Sequence, residues 1–264
     1  MRIFLLLICV LALCLSGPAS ARRKPASQPP ELLSGGSALV ARVAGDRLVL
    51  DDGREVRLVG LDLPVLGAGP AWVPPRFAEA AQAALRDLAE GRRVELRFDR
   101  NPADRYGRLL AHVVRDDGLW LQQDLLRRGF ARVHGMSDNR AALPAMLAAE
   151  ARARASHKGI WAKSGYAPRR AETASSYLGS FQIFEGKIVD GARVQSQVFL
   201  NFGADRDRDL TLRIGGPALV LFRSEGRDPL AYVGRPLRVR GWLRPRGRPL
   251  IDIAHPDEIE ILTR

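Results

Sequence analysis

The sequence contains little cysteine and only one long apolar run. Its two cysteines, Cys9 and Cys14, both lie near the N-terminus. If that segment is removed, the remaining chain has no disulfide, no thiol nucleophile and no thiolate metal ligand. The single apolar run excludes a helical membrane protein with several spans. A hydrophobic content of 46% excludes a fully disordered chain, because such chains lack the apolar side chains that offset ordering entropy.

Lysine is also scarce, since it supplies only 4 of the 41 basic residues and arginine supplies the other 37. With 29 acidic residues the formal net charge is +12, which favours a polyanionic partner such as nucleic acid, phosphate or a membrane surface. The excess is spread along the chain, with +4 in residues 38–161 and +3 in residues 177–264. Net charge therefore does not locate a binding site.

The N-terminal segment has the order of features found in a secretory signal peptide. Arg2 precedes an apolar run over residues 3–15, and the small residues Ala19, Ser20 and Ala21 follow it. We expect residues 1–21 to be a signal peptide and the mature protein to be exported, to the periplasm or outside the cell. The mature chain then has no transmembrane segment, and the alternative is a short uncleaved anchor.

The rest of the chain divides into two predicted domains separated by linkers. Residues 22–37 and 162–176 are rich in small residues or proline and are expected to be linkers. Residues 38–161 combine alternating strand patterns with three segments of helical spacing. Residues 177–264 contain short alternating strands at regular intervals, which predicts a small β-barrel or sandwich.

Five short motifs occur in order within residues 38–161. They are Gly45-Asp46, VRLVGLDLP at 56–64, Glu79-Ala80, DRYGR at 104–108 and Gly159-Ile160-Trp161. Together they resemble the staphylococcal nuclease (thermonuclease) family. The resemblance implies a mainly β, α+β domain, an OB-fold barrel of five strands with three helices. We expect the second domain to be a smaller OB-like barrel.

The resemblance also implies a phosphodiester site. Arg57 and Arg108 match the two phosphate-clamping arginines of the family, and a guanidinium can stabilise the charge that builds on phosphate oxygens. Asp46 and Asp62 match the calcium-binding aspartates, and Leu63 matches a position that contributes its backbone carbonyl. These oxygens suit Ca²⁺, which takes 6–8 oxygen ligands.

The sequence departs from the family pattern at three places. Ala44 stands where an acidic residue often precedes the Gly-Asp pair, so a weak Ca²⁺ site is expected. Val65 occupies the position of the glutamate that helps to activate water, and loss of a general base costs about 10²–10⁴ in rate. His134 begins the stretch where the family often has base-stacking tyrosines. Tyr106 is predicted to contact nucleic acid beside Arg108.

The second domain offers a further candidate surface. Six arginines lie between positions 235 and 248, and Arg240, Trp242 and Arg244 are predicted to contact nucleic acid. The alternative is a solvated hairpin with Trp242 in the core. Three functions remain open. They are a weak Ca²⁺-dependent phosphodiesterase acting on DNA or RNA, an inactive nucleic-acid-binding protein, and a protein-interaction module of the cell envelope.

Overall fold

A computed structural model describes residues 29–67, 74–162, 166–205 and 208–263. The predicted signal peptide, residues 1–21, and residues 22–28 of the first predicted linker lie outside these ranges. Residues 33–37 of that linker differ from the prediction, because they already belong to the first strand of the barrel. Among the residues that the structure describes, no helix is long and apolar enough to cross a membrane. Residues 29–162 form the N-terminal part of the described chain, and residues 166–263 form its C-terminal part.

The N-terminal part contains a closed barrel of five strands in the order β1-β2-β3-β6-β5, and three helices pack around it. The pair β3–β6 is parallel and the other pairs are antiparallel. This confirms the predicted OB-like α+β fold. The strands are β1 (Leu33–Ala44), β2 (Arg47–Leu50), β3 (Glu55–Leu58), β4 (Leu61–Asp62), β5 (Arg93–Phe98), β6 (Leu109–Arg115) and β7 (Arg132–Val133). The helices are α1 (Pro75–Ala89), α2 (Leu121–Arg128) and α3 (Leu143–Ala155).

Strand alternation places the site residues on the outside of this barrel. On β3, Val56 and Leu58 are buried in the barrel core, and Arg57 between them faces outward. The long strand β1 curves around the barrel and pairs with β2 on one side and β5 on the other. Register shifts along β1 supply the local bends that this curvature needs.

The motif Gly159-Ile160-Trp161 closes the N-terminal part onto the end of α2. The amide of Ile160 donates to the carbonyl of Gly129, the left-handed residue that ends α2. A Cβ at Gly129 would lie 2.2 Å from the carbonyl oxygen of Lys158. Glycine is therefore required at this crossing by space as well as by its φ of 73°.

The C-terminal part contains two four-stranded sheets, ordered β10-β11-β12-β14 and β15-β13-β9-β8, that share one apolar core. An isolated bridge between Leu243 and Ile251 joins β13 to β14. The pair β12–β14 is parallel, as β3–β6 is in the first barrel. The strands are β8 (Arg169–Arg170), β9 (Phe181–Lys187), β10 (Asp190–Val194), β11 (Gln197–Asn201), β12 (Thr211–Ile214), β13 (Pro236–Trp242), β14 (Leu250–Ile253) and β15 (Ile259–Ile261), and the helix is α4 (Gly216–Ser224).

This strand order follows that of an OB barrel if β9 and β10 are successive halves of its first strand. Closure between β13 and β14 consists of that one bridge, so a second closed barrel stays a prediction. The predicted linker 162–176 also differs from what is observed. It contains β8 and a 3-10 turn, Ala171–Tyr177, whose Ala171 and Ala174 are buried in the C-terminal core.

Candidate functional site

The first candidate group lies on the turn between β1 and β2 and on the adjoining strand β3. Ala44 and Arg47 pair across a two-residue turn formed by Gly45 and Asp46. Gly45 has a φ of 64°, a conformation that glycine adopts readily. The Nε of Arg57 lies 3.5 Å from Oδ2 of Asp46, and both side chains are about a third exposed. Arg57 is thus held at the barrel surface by one loose ion pair.

Arg108 lies in the loop before β6, which the carboxylate of Asp104 organises. Asp104 accepts hydrogen bonds from the amides of Tyr106 and Arg108, at 2.9 and 3.1 Å, and from the Nε of Arg108 at 2.7 Å. Burial raises the pKa of Asp104, but the hydrogen bonds from these donors lower it by more. Its pKa therefore lies below the usual value. Asp104 in turn raises the pKa of Arg108, with smaller contributions from Asp46 and Glu55. Arg108 therefore lies in the same electrostatic environment as Arg57.

Tyr106 stands at the surface of this loop with 67% of its area exposed. The guanidinium carbons of Arg105 and Arg108 lie 4.8 and 5.1 Å from the centre of its ring. Such contacts keep the planes of arginine and tyrosine near each other. The structure thus brings together the predicted residues Tyr106 and Arg108 in one exposed loop.

Asp62 lies at the end of β4 and is engaged by a residue that sequence reasoning does not assign to the site. The Nε and Nη2 atoms of Arg132, on β7, donate to Oδ2 of Asp62 at 2.9 and 2.7 Å. In the sequence, the only feature that points to Arg132 is its place in a short strand after Gly129, the glycine that ends α2. Leu63 packs its side chain against the barrel core. Only its backbone carbonyl could therefore reach a cation.

The donor set for a hard cation is small. Among the described residues, no group of three or more His, Cys, Asp or Glu side chains could hold a metal ion. Asp46 is paired with Arg57, and Asp62 offers only Oδ1 once Arg132 has taken Oδ2. These residues fit Ca²⁺ only if water supplies most of its 6–8 ligands. Such a site would be weak.

Val65, which the sequence comparison above aligns with the general-base position of the family, adjoins this group. Its Cγ1 atom lies 3.8 Å from the point where a side chain on Gly45 would begin. Glu55, at the start of β3, is a further carboxylate near enough to Arg108 to act on its charge. Its Oε2 accepts a hydrogen bond of 2.8 Å from Arg47, which holds it in an ion pair. A neutral side chain therefore borders the Asp46 turn.

The second predicted surface requires one correction. Arg240 is predicted from the sequence to contact nucleic acid, but only 2% of its surface is exposed. Its guanidinium donates to both carboxylate oxygens of Glu150 on α3, at 3.0 and 3.1 Å, and also to Glu260 and to the carbonyl of Val133. Arg240 therefore joins the two parts of the chain and cannot reach a nucleic acid.

Trp242 and Arg244, by contrast, lie at the surface. Trp242 is 55% exposed, so the alternative that placed it in the core is wrong. Arg244 is exposed and paired with Asp252, which also accepts from Arg213. Trp242 stands in a cleft of about 510 Å³ between residues 134–137 of the N-terminal part and residues 241–245 of the C-terminal part.

His134 connects this cleft with the first group. It lines the cleft, and its amide donates to the carbonyl of Gly60, two residues before Asp62. Burial lowers the pKa of His134, Asp62 raises it, and the positive charges of Arg57 and Arg132 lower it. The cleft and the arginine–aspartate group are therefore electrostatic neighbours.

Comparison with known proteins gives one family match and several relatives. A family model described as "Staphylococcal nuclease homologue" matches residues 55–163. The thermonuclease of Staphylococcus intermedius is 38% identical over 102 residues, which are 37% of this chain and 60% of that protein. Endonuclease YncB of Bacillus subtilis is 32% identical over 133 residues, 48% of this chain and 62% of the relative. The thermonuclease of Staphylococcus hyicus is 30% identical over 127 residues, 45% of this chain and 71% of the relative.

The chain spans 60% and 62% of the lengths of the first two of these relatives. The region that matches the family model contains Arg57, Asp62 and Arg108. Asp46 precedes that region, and the C-terminal part follows it. Three of the four charged residues that are predicted for the phosphodiester site therefore lie inside the matched segment.

Proposed function

The chain belongs to the staphylococcal nuclease family, and we propose on that premise that its barrel binds a phosphodiester of DNA or RNA through Arg57 and Arg108. The most direct support is that the carboxylate of Asp46 acts on both arginines. It forms an ion pair with Arg57 and contributes to the raised pKa of Arg108. Each arginine presents a fork of donors that matches phosphate oxygens. The proposed substrate class follows from that chemistry.

We propose that hydrolysis is slow. Arg57 and Arg108 would stabilise the charge that develops on the non-bridging oxygens as the phosphorus is attacked. Asp104 holds Arg108 through Nε and Nη2, which leaves Nη1 to donate to the phosphate. With Val65 beside the Asp46 turn, no carboxylate at that position removes a proton from water. Binding is then retained while fast turnover is lost.

We further propose that Ca²⁺ binds weakly at Asp46, Asp62 and the carbonyl of Leu63. When bound, a divalent cation would offset phosphate charge and increase the acidity of a ligated water. The small donor set supports a weak site, because two carboxylates provide few of the oxygens that Ca²⁺ takes. Asp62 would keep its contact with Arg132 through Oδ2 and use Oδ1 toward the cation.

Digestion of single-stranded and duplex DNA and RNA, with Ca²⁺ or with a chelator, tests this function. Slow cleavage that requires Ca²⁺ and disappears in Arg57→Ala, but persists in Arg54→Ala, is the expected result. Arg54 is a matched control because it is an exposed arginine on the neighbouring turn, bound to Asp52. Salt-sensitive binding without any cleavage would support the inactive binding protein instead. Absence of binding at low salt would contradict both and favour a protein-interaction module.

We also propose that the protein is exported, on the basis of the segment at residues 1–21, which lies outside the described residues. The sequence order of that segment is its only support. N-terminal sequencing of the protein purified from its natural source tests the proposal. A mature N-terminus near Arg22 is expected, and an intact Met1 terminus would contradict cleavage.

A further inference from the structure

The exposed tryptophan of the C-terminal part is the feature that the proposed function does not use. Trp242 is 55% exposed, whereas the other tryptophans that the structure describes, Trp120 and Trp161, are 1% and 4% exposed. A tryptophan removes more apolar surface from water than almost any other side chain when it is covered. An open tryptophan face in a cleft is therefore a feature that a ligand can complete.

The cleft around Trp242 suits a flat group. Its volume of about 510 Å³ lies within the range of about 300–1,000 Å³ that is usual for small-molecule sites. Gly135, Gly179 and Gly241 line it and leave their parts of the wall without side chains. At Gly135 a Cβ would come within 2.6 Å of Leu143, so this part of the wall admits no larger residue without displacement. A planar ring could lie against Trp242 without meeting a side chain from these three positions.

A chain of contacts supports Trp242 and leads back to the phosphate site. The ring centre of Trp242 lies 6.2 Å from that of Phe181, which is in turn 4.7 Å from the ring of His134. The guanidinium of Arg132 lies 4.8 Å from the ring of Phe181 and binds Asp62. The aromatic surface is thus continuous with the residues that flank the arginine clamp.

Charge is distributed so that anions are favoured at the rim of the cleft rather than inside it. Asp252 and Glu258 line the cleft together with Arg244, which Asp252 holds in an ion pair, so the lining as a whole disfavours a phosphate. The turn between β13 and β14 carries Arg244, Arg246 and Arg248, all exposed. Among the described residues, no carboxylate forms an ion pair with Arg246 or Arg248. In OB-folds the loop between the fourth and fifth strands contacts oligonucleotides, and this turn has that place in the strand order.

We propose that the cleft binds an unstacked base of a single-stranded nucleic acid, with the base against Trp242 and the flanking phosphates on Arg246 and Arg248. The proposal rests on the proposed function, because the strand would continue from the clamp of Arg57 and Arg108. Base–aromatic stacking is available to every base, so the site would tolerate different sequences and either sugar. A duplex cannot use the cleft in this way, since its bases remain stacked and paired. The C-terminal part would then select single strands for the barrel.

Binding of labelled oligonucleotides to the full chain, in chelator to prevent cleavage, tests the proposal. The probes are a single strand of about 12 nucleotides in DNA and RNA form, an abasic strand of the same length and charge, and a duplex. Trp242→Ala is expected to weaken binding of the single strands at least about fivefold and to leave binding of the abasic strand unchanged. Trp242→Phe should restore most of the affinity. Val233→Ala is the apolar control, because Val233 is exposed near the opposite end of β13.

The rim arginines give a second, independent readout. The double variant Arg246→Ala/Arg248→Ala should reduce the slope of log affinity against log salt by about 1.4, at about 0.7 for each phosphate contact with a single strand. The control of equal charge is Arg193→Ala/Arg235→Ala, both exposed, with Arg235 beside Val233 at the opposite end of β13. That control should change the slope much less.

These outcomes separate the two proposals. Unchanged binding of single strands by Trp242→Ala would overturn the base site, and an equal loss for the abasic strand would show that stacking is not involved. An Arg57→Ala variant should weaken the single-stranded and abasic probes alike. If it weakens neither while Trp242→Ala weakens the single strand alone, the clamp of the proposed function fails and the base site stands.

Discussion

Arg57 and Arg240 occupy opposite environments in the same chain. Arg57 stands at the rim of the barrel with 37% of its side chain exposed and one carboxylate at 3.5 Å. Arg240 lies between the two parts with 3% of its side chain exposed and with Glu150, Glu260 and a backbone carbonyl around it. The first guanidinium keeps donors for an incoming anion, whereas the second has most of its donors used within the protein. The comparison separates the arginine that we propose to bind phosphate from a structural arginine by the partners of each.

The charges buried around Arg240 also balance one another, whereas the charges around Arg57 at the barrel surface do not. Burial lowers the pKa of Arg240, but Glu150 and Glu260 raise it more, so that the side chain stays charged. Glu260 also accepts from Arg238, and Glu150 from Arg154. Carboxylates from α3 and β15 therefore hold one guanidinium from both sides. Removal of Glu150 or of Arg240 leaves the other charge buried with fewer partners.

Arg240→Ala should have the largest effect on stability of any single substitution in this comparison. It leaves the fully buried Glu150 with Arg154 as its remaining cationic partner, and breaking a buried ion pair costs about 3–5 kcal/mol. We expect that loss in the free energy of unfolding measured in urea. Arg235→Ala on the same segment should change it by less than about 0.5 kcal/mol, because Arg235 is exposed. A loss below about 1 kcal/mol for Arg240→Ala would show that the buried network adds little.

Arg57→Ala should give the converse result. If the slow hydrolysis is confirmed, removal of one charge-stabilising donor should lower its rate by about 10²–10³. The free energy of unfolding should change by less than about 0.5 kcal/mol, because the residue makes one loose surface ion pair. Rates under single-turnover conditions and urea unfolding of the same preparation provide both numbers. A large loss of stability with little loss of rate would break the distinction between the two arginines.

His112 sharpens the comparison, because it is buried without the partners that Arg240 has. Both ring nitrogens lack a hydrogen bond within the described structure, and the ring lies 5.5 Å from that of Trp120 in the barrel. Burial lowers the pKa of His112 to about 4, despite a small opposing effect of Asp99. Between about pH 6.5 and about pH 4 the unfolded chain binds the proton and the folded chain does not. Stability should therefore fall as the pH falls through that range.

The measurement is the free energy of unfolding at about pH 7.5 and about pH 5 for the wild type and for His112→Phe. The wild type should lose on the order of 2 kcal/mol more than the variant at the lower pH. Carboxylate titrations contribute to both proteins alike and cancel in the difference. Equal losses would mean that His112 is solvated or protonated in the folded state.

The barrel and the outward placement of Arg57 were predictable, whereas the structural role of Arg240 was not. Strand alternation and the turn glycines are local signals, so the placement of Arg57 on an outward strand face follows from residues 55–58 alone. Arg238, Arg240 and Trp242 alternate with apolar neighbours, so the sequence pattern predicts that all three lie on one exposed face of the strand. Their different burial depends on Glu150, which is 90 residues away in the chain. Asp62 and Arg132 are likewise 70 residues apart. Such pairs form only when the two elements pack.

Val65→Glu is the smallest effect that we expect, and it tests the proposal that the site around Arg57 binds a phosphodiester but hydrolyses it slowly. A carboxylate beside the Asp46 turn would supply a proton acceptor, which should raise hydrolysis at least about tenfold. Leu66→Glu is the matched control, because it adds the same charge one residue further along at an exposed position and should not raise the rate. The gain should vanish when Arg57→Ala is added, since the base is useful only if the phosphate is held. If Val65→Glu binds Ca²⁺ as the wild type does, measured by calorimetry, and yet gains no rate, then a missing base is not what limits this site. The limit would then lie in how the two arginines and the weak cation site position the phosphate.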